Sequence, residues 1–206
     1  KTSRPNITDV KNRYGIHFNN YAISFLHPVT TISKNINDKI SQIYFQSLKE
    51  ISNEINIIHF LPNNDDNADV ILENLKKNLL KNLKIKVIPS MRFEYYLTLL
   101  EKSQFIIGNS SSAIMEAPYF KIRAINLGNR QNNRYGLNKC ININFSKKKI
   151  IQSVKKILRE NSKYHRKNTT HLFGKGDSSK KILKIFNSKV LNKLKIQKSY
   201  KNLILP

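Results

Sequence analysis

Short, near-continuous apolar runs recur along the chain, separated by longer stretches with helical spacing. The runs are Tyr21–Leu26, Ile55–Phe60, Lys84–Ile88, Gln104–Ile107, Arg123–Leu127 and Cys140–Asn144. Each has the composition of a strand buried on both faces of a parallel sheet. Helices are predicted over 36–53, 67–80, 92–102, 111–119, 146–160 and 178–194. Ile36, Ile40, Ile43, Tyr44 and Leu48 repeat at helical spacing, and Val70, Leu72, Leu75 and Leu79 repeat in a similar way. Strand–helix alternation with short connections predicts right-handed βαβ units and a doubly wound parallel α/β sheet. There is no internal repeat and no Gly/Ser linker. The chain therefore reads as an N-terminal linker segment over 1–20, one domain over 21–190 and a basic helical tail over 191–206.

Composition narrows the class. With 206 residues and 39% hydrophobic residues, the chain can bury a core and is not expected to be disordered. The one cysteine, Cys140, excludes a disulfide scaffold, and no Cys/His spacing suggests a zinc site. No metal and no cofactor are expected. No apolar run approaches the roughly 20 residues that span a bilayer. Residues Lys1 to Val10 lack the apolar stretch of a secretory signal, so the cytoplasm is the expected location.

The net charge of +24 has two sources. The chain contains 29 Lys, 27 Asn and 28 Ile, residues with A/T-rich codons, so genome bias accounts for part of the lysine excess. The rest is uneven: residues 1–120 carry 14 basic and 11 acidic residues, whereas residues 121–206 carry 23 basic and 2 acidic.

In a doubly wound sheet, ligands bind beyond the carboxyl ends of the strands, so the polar residues there matter most. The richest such stretch is Gly108-Asn-Ser-Ser-Ser-Ala-Ile-Met-Glu116. Gly108 permits a close turn. Ser110, Ser111 and Ser112 place small hydroxyls and N–H groups at a predicted helix start, which favours phosphate. Glu116 lies one turn after Ser112, where a carboxylate can accept from the two vicinal hydroxyls of a ribose. A Ser N-cap followed by a solvated Glu is the plainer reading, although three serines exceed what capping needs. His27, followed by Pro28, can present its ring at the end of the first strand as a phosphate donor or an acid. Pro62-Asn-Asn-Asp-Asp66 reads by itself as a turn with an Asx cap. Beyond the fifth strand, Gly128 ends the run, and Arg130 and Arg134 can bind an anion bidentately. Phe173-Gly-Lys-Gly-Asp-Ser-Ser179 looks like a second phosphate-type turn.

Taken together, these strings resemble the hydrolysing UDP-N-acetylglucosamine 2-epimerases and related sugar-nucleotide 2-epimerases of bacterial nonulosonate pathways. They are His27-Pro-Val-Thr-Thr, Pro62-Asn-Asn-Asp, Ile107-Gly-Asn-Ser-Ser-Ser-Ala-Ile-Met-Glu-Ala-Pro118, Ile125-Asn-Leu-Gly-Asn-Arg-Gln131 and Phe173-Gly-Lys-Gly-Asp. The resemblance runs from about Tyr21 to Phe186. It implies a GT-B-like protein of two Rossmann-like domains with a UDP-sugar in the cleft between them, of which this chain matches the C-terminal, nucleotide-binding half. By that likeness Ser111 and Ser112 hold the diphosphate and Glu116 the ribose, and Ser110 contacts UDP beside them. His27 sits beside the phosphates and sugar, and Arg130 meets the charged part of the nucleotide. Asn63 contacts UDP as well, and the loop from Pro89 to Phe93 flanks the uracil. The family's reaction eliminates UDP to a glycal, which water then converts to N-acetylmannosamine. The acid/base carboxylates belong to the other domain, so the chain alone is expected to be inactive. The implied partners are UDP or a UDP-sugar and an N-terminal domain in cis or in trans, with a homo-oligomer left open. Three positions depart from the family pattern: Ala113 replaces a usual Gly, Asp66-Asn67 replaces small glycines, and Asn129 replaces a frequent Asp.

The alternative is a non-catalytic basic module that binds nucleic acid or a membrane surface. No nucleic-acid motif and no aromatic ladder accompany the lysines. Ile182, Phe186, Val190 and Leu194, interleaved with lysines, predict a basic amphipathic helix of the kind that lies on anionic lipid or packs on a domain.

Overall fold

All six apolar runs form strands of one sheet. The computed structural model describes residues 4–79, 81–160, 174 and 176–188. The strands are β1 (Tyr21–Phe25), β2 (Asn56–Phe60), β3 (Ile85–Ile88), β4 (Phe105–Gly108), β5 (Arg123–Leu127) and β6 (Ile141–Ile143). They pair in parallel in the order β3-β2-β1-β4-β5-β6. The chain winds outward from β1 to β3, then crosses back and winds outward from β4 to β6. The connections after the adjacent strands β1 and β4 therefore run in opposite directions. They leave a crevice at the carboxyl ends of those two strands, which is where ligands bind in such sheets.

Helices cover both faces, because alternate strand residues need burial on opposite sides. One face packs Ala22, Ile57, Phe105, Ile107 and Ile125 against α2 (Lys34–Ile51), α3 (Ala68–Leu79) and α6 (Lys147–Glu160). The other packs Tyr21, Ile23, Ile58 and Ile106 against α1 (Ile7–Tyr14), α4 (Phe93–Lys102) and α5 (Ser112–Met115). Tyr44 and Leu48 of α2 are fully buried, as their spacing predicts, and Phe45 is buried with them, whereas Ile36 of the same expected stripe is exposed at the start of the helix. Two lysines of the basic half pair with glutamates at and just beyond the end of α2: Lys147 with Glu50 at 3.0 Å and Lys155 with Glu54 at 3.4 Å.

Several elements differ from the sequence expectation. Residues 1–20, expected as a linker, contain α1. Asn6 caps it by accepting from the Asp9 N–H at 2.9 Å, and Gly15 ends it at φ 59°. Thr98 of α4 donates to the Pro5 carbonyl at 3.0 Å, which ties this segment down. The helix expected over 111–119 is a single turn, Ser112–Met115, ahead of the turn that precedes β5. Strand β6 is an edge strand whose side chains are exposed or half-buried, not buried on both faces.

The chain divides into two units, residues 1–169 and 170–206. In the second, α7 (Ser178–Phe186) is helical and exposes Ile182, Leu183, Ile185 and Phe186. Val190, Leu194 and the expected tail lie outside the described residues, as do Phe173 and Lys175 of the Gly-Lys-Gly loop. Among the described residues no helix is long and apolar enough to cross a membrane.

Candidate functional site

The loops after β1 and β4 meet because their strands pair, with Phe25 opposite Gly108. Gly108 has φ +141°, and a Cβ there would lie 1.8 Å from the Phe25 carbonyl oxygen. Only glycine lets the strands approach so closely at the point where the chain must turn.

The next residue, Asn109, is fully buried and joins the two loops. Its Oδ1 accepts from the His27 N–H at 2.8 Å, and its Nδ2 donates to the His27 carbonyl at 2.8 Å. Asn37 of α2 does the same for Val29, accepting from its N–H at 2.9 Å and donating to its carbonyl at 3.1 Å. The His27–Val29 backbone is thus held at both ends.

The His27 ring is oriented as well. The Asn63 N–H donates to Nδ1 at 3.2 Å, so in the neutral ring the proton sits on Nε2. Burial lowers the pKa of His27 to about 4; nearby Arg130 adds to the effect and Asp65 opposes it. At pH 7 the ring is a neutral donor rather than a cation. It stacks on Phe25, whose ring lies 4.8 Å from that of Phe60, and Tyr96 packs edge-on against both phenylalanines.

On the opposite side, Arg130 donates to the Asn109 carbonyl at 3.3 Å and pairs with Asp65 at 3.7 Å. The buried Gln131 donates to the same carbonyl at 2.8 Å. Tyr96 Oη shares a short hydrogen bond with Ser112 Oγ. Burial raises the phenol pKa, so Tyr96 stays protonated, and either hydroxyl of the pair can donate.

His27, Phe25, Phe60, Tyr96, Ser112 and Arg130 line one cavity of about 480 Å³, a size that suits a small ligand, with Asn109, Asp65 and Gln131 supporting it from outside the lining. His27, Asn63, Phe93, Ser110, Ser111, Ser112, Glu116 and Arg130, the residues that the family resemblance assigns to UDP, line it. Of the loop from Pro89 to Phe93, Pro89, Ser90, Met91 and Phe93 also line it, while Arg92 pairs with Glu94 at 2.8 Å. Asn63 is fixed through its main chain, by the bond to His27, rather than through its amide. Arg134 reaches the wall as well. Asn109, Tyr96, Asp65 and Gln131 hold the site's groups in place without being among its expected ligand contacts. Asn109 stood in the Gly-Asn-Ser string and was legible there, whereas Tyr96 looked like any core residue of its helix. Among the described residues no three His, Cys, Asp or Glu side chains gather as a metal site requires.

Fold and cavity together define the class: a Rossmann-like α/β domain of the GT-B-like kind, with its site at the crevice between β1 and β4. Residues 2–187 match the family described as UDP-N-acetylglucosamine 2-epimerase, and the chain belongs to that family. The UDP-N-acetylglucosamine 2-epimerase of Neisseria meningitidis serogroup B is 39% identical over 150 residues, which are 73% of this chain and 38% of that relative. The GDP/UDP-N,N'-diacetylbacillosamine 2-epimerase (hydrolyzing) of Campylobacter jejuni is 36% identical over 115 residues, covering 55% of this chain and 29% of that one. Among solved structures, the N. meningitidis UDP-GlcNAc 2-epimerase bound to UDP-GlcNAc aligns with a TM-score of 0.66 at 15% identity. That alignment covers 87% of this chain and 48% of the other. The S. aureus MnaA–UDP structure aligns at 0.64 and 18% identity, covering 93% and 50%. The chain thus spans about half the length of the solved structures it matches.

Proposed function

We propose that this chain is the UDP-binding half of a hydrolysing UDP-sugar 2-epimerase, and that its cavity takes the nucleoside diphosphate. The observation that carries this reading is the convergence on one cavity of a guanidinium, a neutral imidazole donor, three serines and a carboxylate. The serine hydroxyls and the Nε2–H of His27 suit phosphate oxygens, and Arg130 supplies the opposing charge. Glu116, at the far end of the serine string, suits ribose hydroxyls. Pro89, Met91 and Phe93 offer an apolar edge for a planar base.

Elimination of UDP breaks the bond between the sugar's anomeric carbon and a diphosphate oxygen and leaves new negative charge on that oxygen. His27 and Arg130 would stabilise that charge more strongly in the transition state than in the bound sugar nucleotide, and this difference lowers the barrier. Proton removal from the sugar and delivery of water need acid/base groups from a second domain. Glu116, committed to the ribose, is not available for that role.

Calorimetric titration with UDP tests the reading. Wild type is expected to bind. Ser112→Ala and Glu116→Ala should each weaken binding by about tenfold or more, the loss expected from a hydrogen bond in which one partner is charged. Equal affinity for all three would refute the assignment. The 206-residue chain by itself is expected to release no UDP from UDP-N-acetylglucosamine, and release by the purified chain would contradict the need for a second domain.

A further inference from the structure

We propose that Asn109 is the positioning residue of this site, holding His27 and Arg130 on the same anion by tying together the loops after β1, β4 and β5. The inference rests on the diphosphate reading above.

The side-chain amide of Asn109 makes two reciprocal hydrogen bonds to the main chain of His27, both 2.8 Å long. Its own carbonyl receives Gln131 Nε2 at 2.8 Å and Arg130 Nη1 at 3.3 Å. One buried residue thus receives or supplies four hydrogen bonds, two with the main chain of His27, one from Arg130 and one from Gln131. Of the uncharged side chains this short, only a carboxamide carries a donor and an acceptor on one rigid plane, so few residues can replace it. An aspartate would keep the acceptor for the His27 N–H but would turn a carboxylate oxygen toward the His27 carbonyl. An alanine would leave both main-chain groups of His27 without their partners. A purely space-filling role would require neither the reciprocal pair nor the collection of Arg130 and Gln131 on one carbonyl.

The test compares UDP affinity and the state of the His27 ring in wild type, Asn109→Asp, Asn109→Ala and Ile157→Val. The last is a core change outside the cavity and controls for general loss of stability. Both Asn109 variants are expected to lose UDP affinity by tenfold or more. Their His27 ring, read by nitrogen NMR, should leave the Nε2–H tautomer and titrate closer to an ordinary histidine. Ile157→Val should change neither reading. In wild type, adding UDP should shift the Asn109 side-chain amide and the Arg130 guanidinium resonances together, a reading that needs no variant to fold. Variants that bind UDP within twofold of wild type, or a wild-type complex in which the Asn109 resonances do not move, would overturn the proposal. Failure of wild type to bind UDP would instead overturn the ligand assignment.

Discussion

Gly108→Ala is expected to cost about 4 kcal/mol of stability, the sum of a disfavoured backbone region for an L-residue and a forced expansion of the packing. The new methyl would meet backbone on the neighbouring strand: the Phe25 carbonyl oxygen at 1.8 Å, its carbon at 2.8 Å and its nitrogen at 3.1 Å. No rotamer change relieves contacts with backbone, so β1 and β4 must separate. That pairing also brings Asn109 within reach of His27. The substitution should therefore abolish UDP binding as well as lower the melting temperature, by roughly 10 °C for a domain of this size. Thermal unfolding followed by circular dichroism checks it, and a melting temperature within 2 °C of wild type would contradict the geometry.

The strands and the strand-end loops were legible because both follow from local pattern. A buried strand needs a continuous apolar run, and a turn out of it needs Gly108 or Gly128. Helix α1 was missed because Ile7, Val10 and Tyr14 are too few to set a period, although its Asn6 cap and Gly15 terminus were present in the sequence. Helix α5 was overestimated because Ala113, Ile114 and Ala117 are apolar for a different reason: they fill the space beneath a turn. What the sequence could not convey is the pairing of loops distant along the chain. His27 and Asn109 are joined only once β4 lies beside β1, and Asp65 acts on Arg130 only once the loops after β2 and β5 converge. Tyr96 falls in the apolar stripe of α4, and only the fold shows its hydroxyl on Ser112. The excess charge has a similar lesson. Lys147 and Lys155 look like part of a basic surface, yet the fold sets one against Glu50 of α2 and the other against Glu54 in the turn that follows it.

Acidification should destabilise the domain steeply between pH 6.5 and pH 4, and two buried histidines are the reason. His59 is fully buried on β2, with Nδ1 bonded to Ser24 Oγ at 2.8 Å, the edge of Phe45 against its ring, and no partner for Nε2 among the described residues. Burial lowers its pKa to about 3, with a smaller contribution from His27. His27 itself is lowered to about 4, again mainly by burial. In the unfolded chain both rings titrate near the ordinary histidine value of about 6.5. Below that pH the unfolded chain takes up two protons that the folded chain refuses. Stability is therefore complete above about pH 6.5 and is lost as the pH falls toward 4. At roughly 1.4 kcal/mol per proton per pH unit, the two rings together remove roughly 6 kcal/mol by pH 4, comparable to the whole stability of many domains. Protonated carboxylates add to the slope but do so equally in a histidine variant. His59→Leu is therefore expected to lower the slope of stability against pH by about one proton, as read from urea midpoints at pH 7, 6, 5 and 4. An unchanged slope would mean that His59 already carries its proton in the folded chain, which a buried Nε2 without an acceptor does not allow.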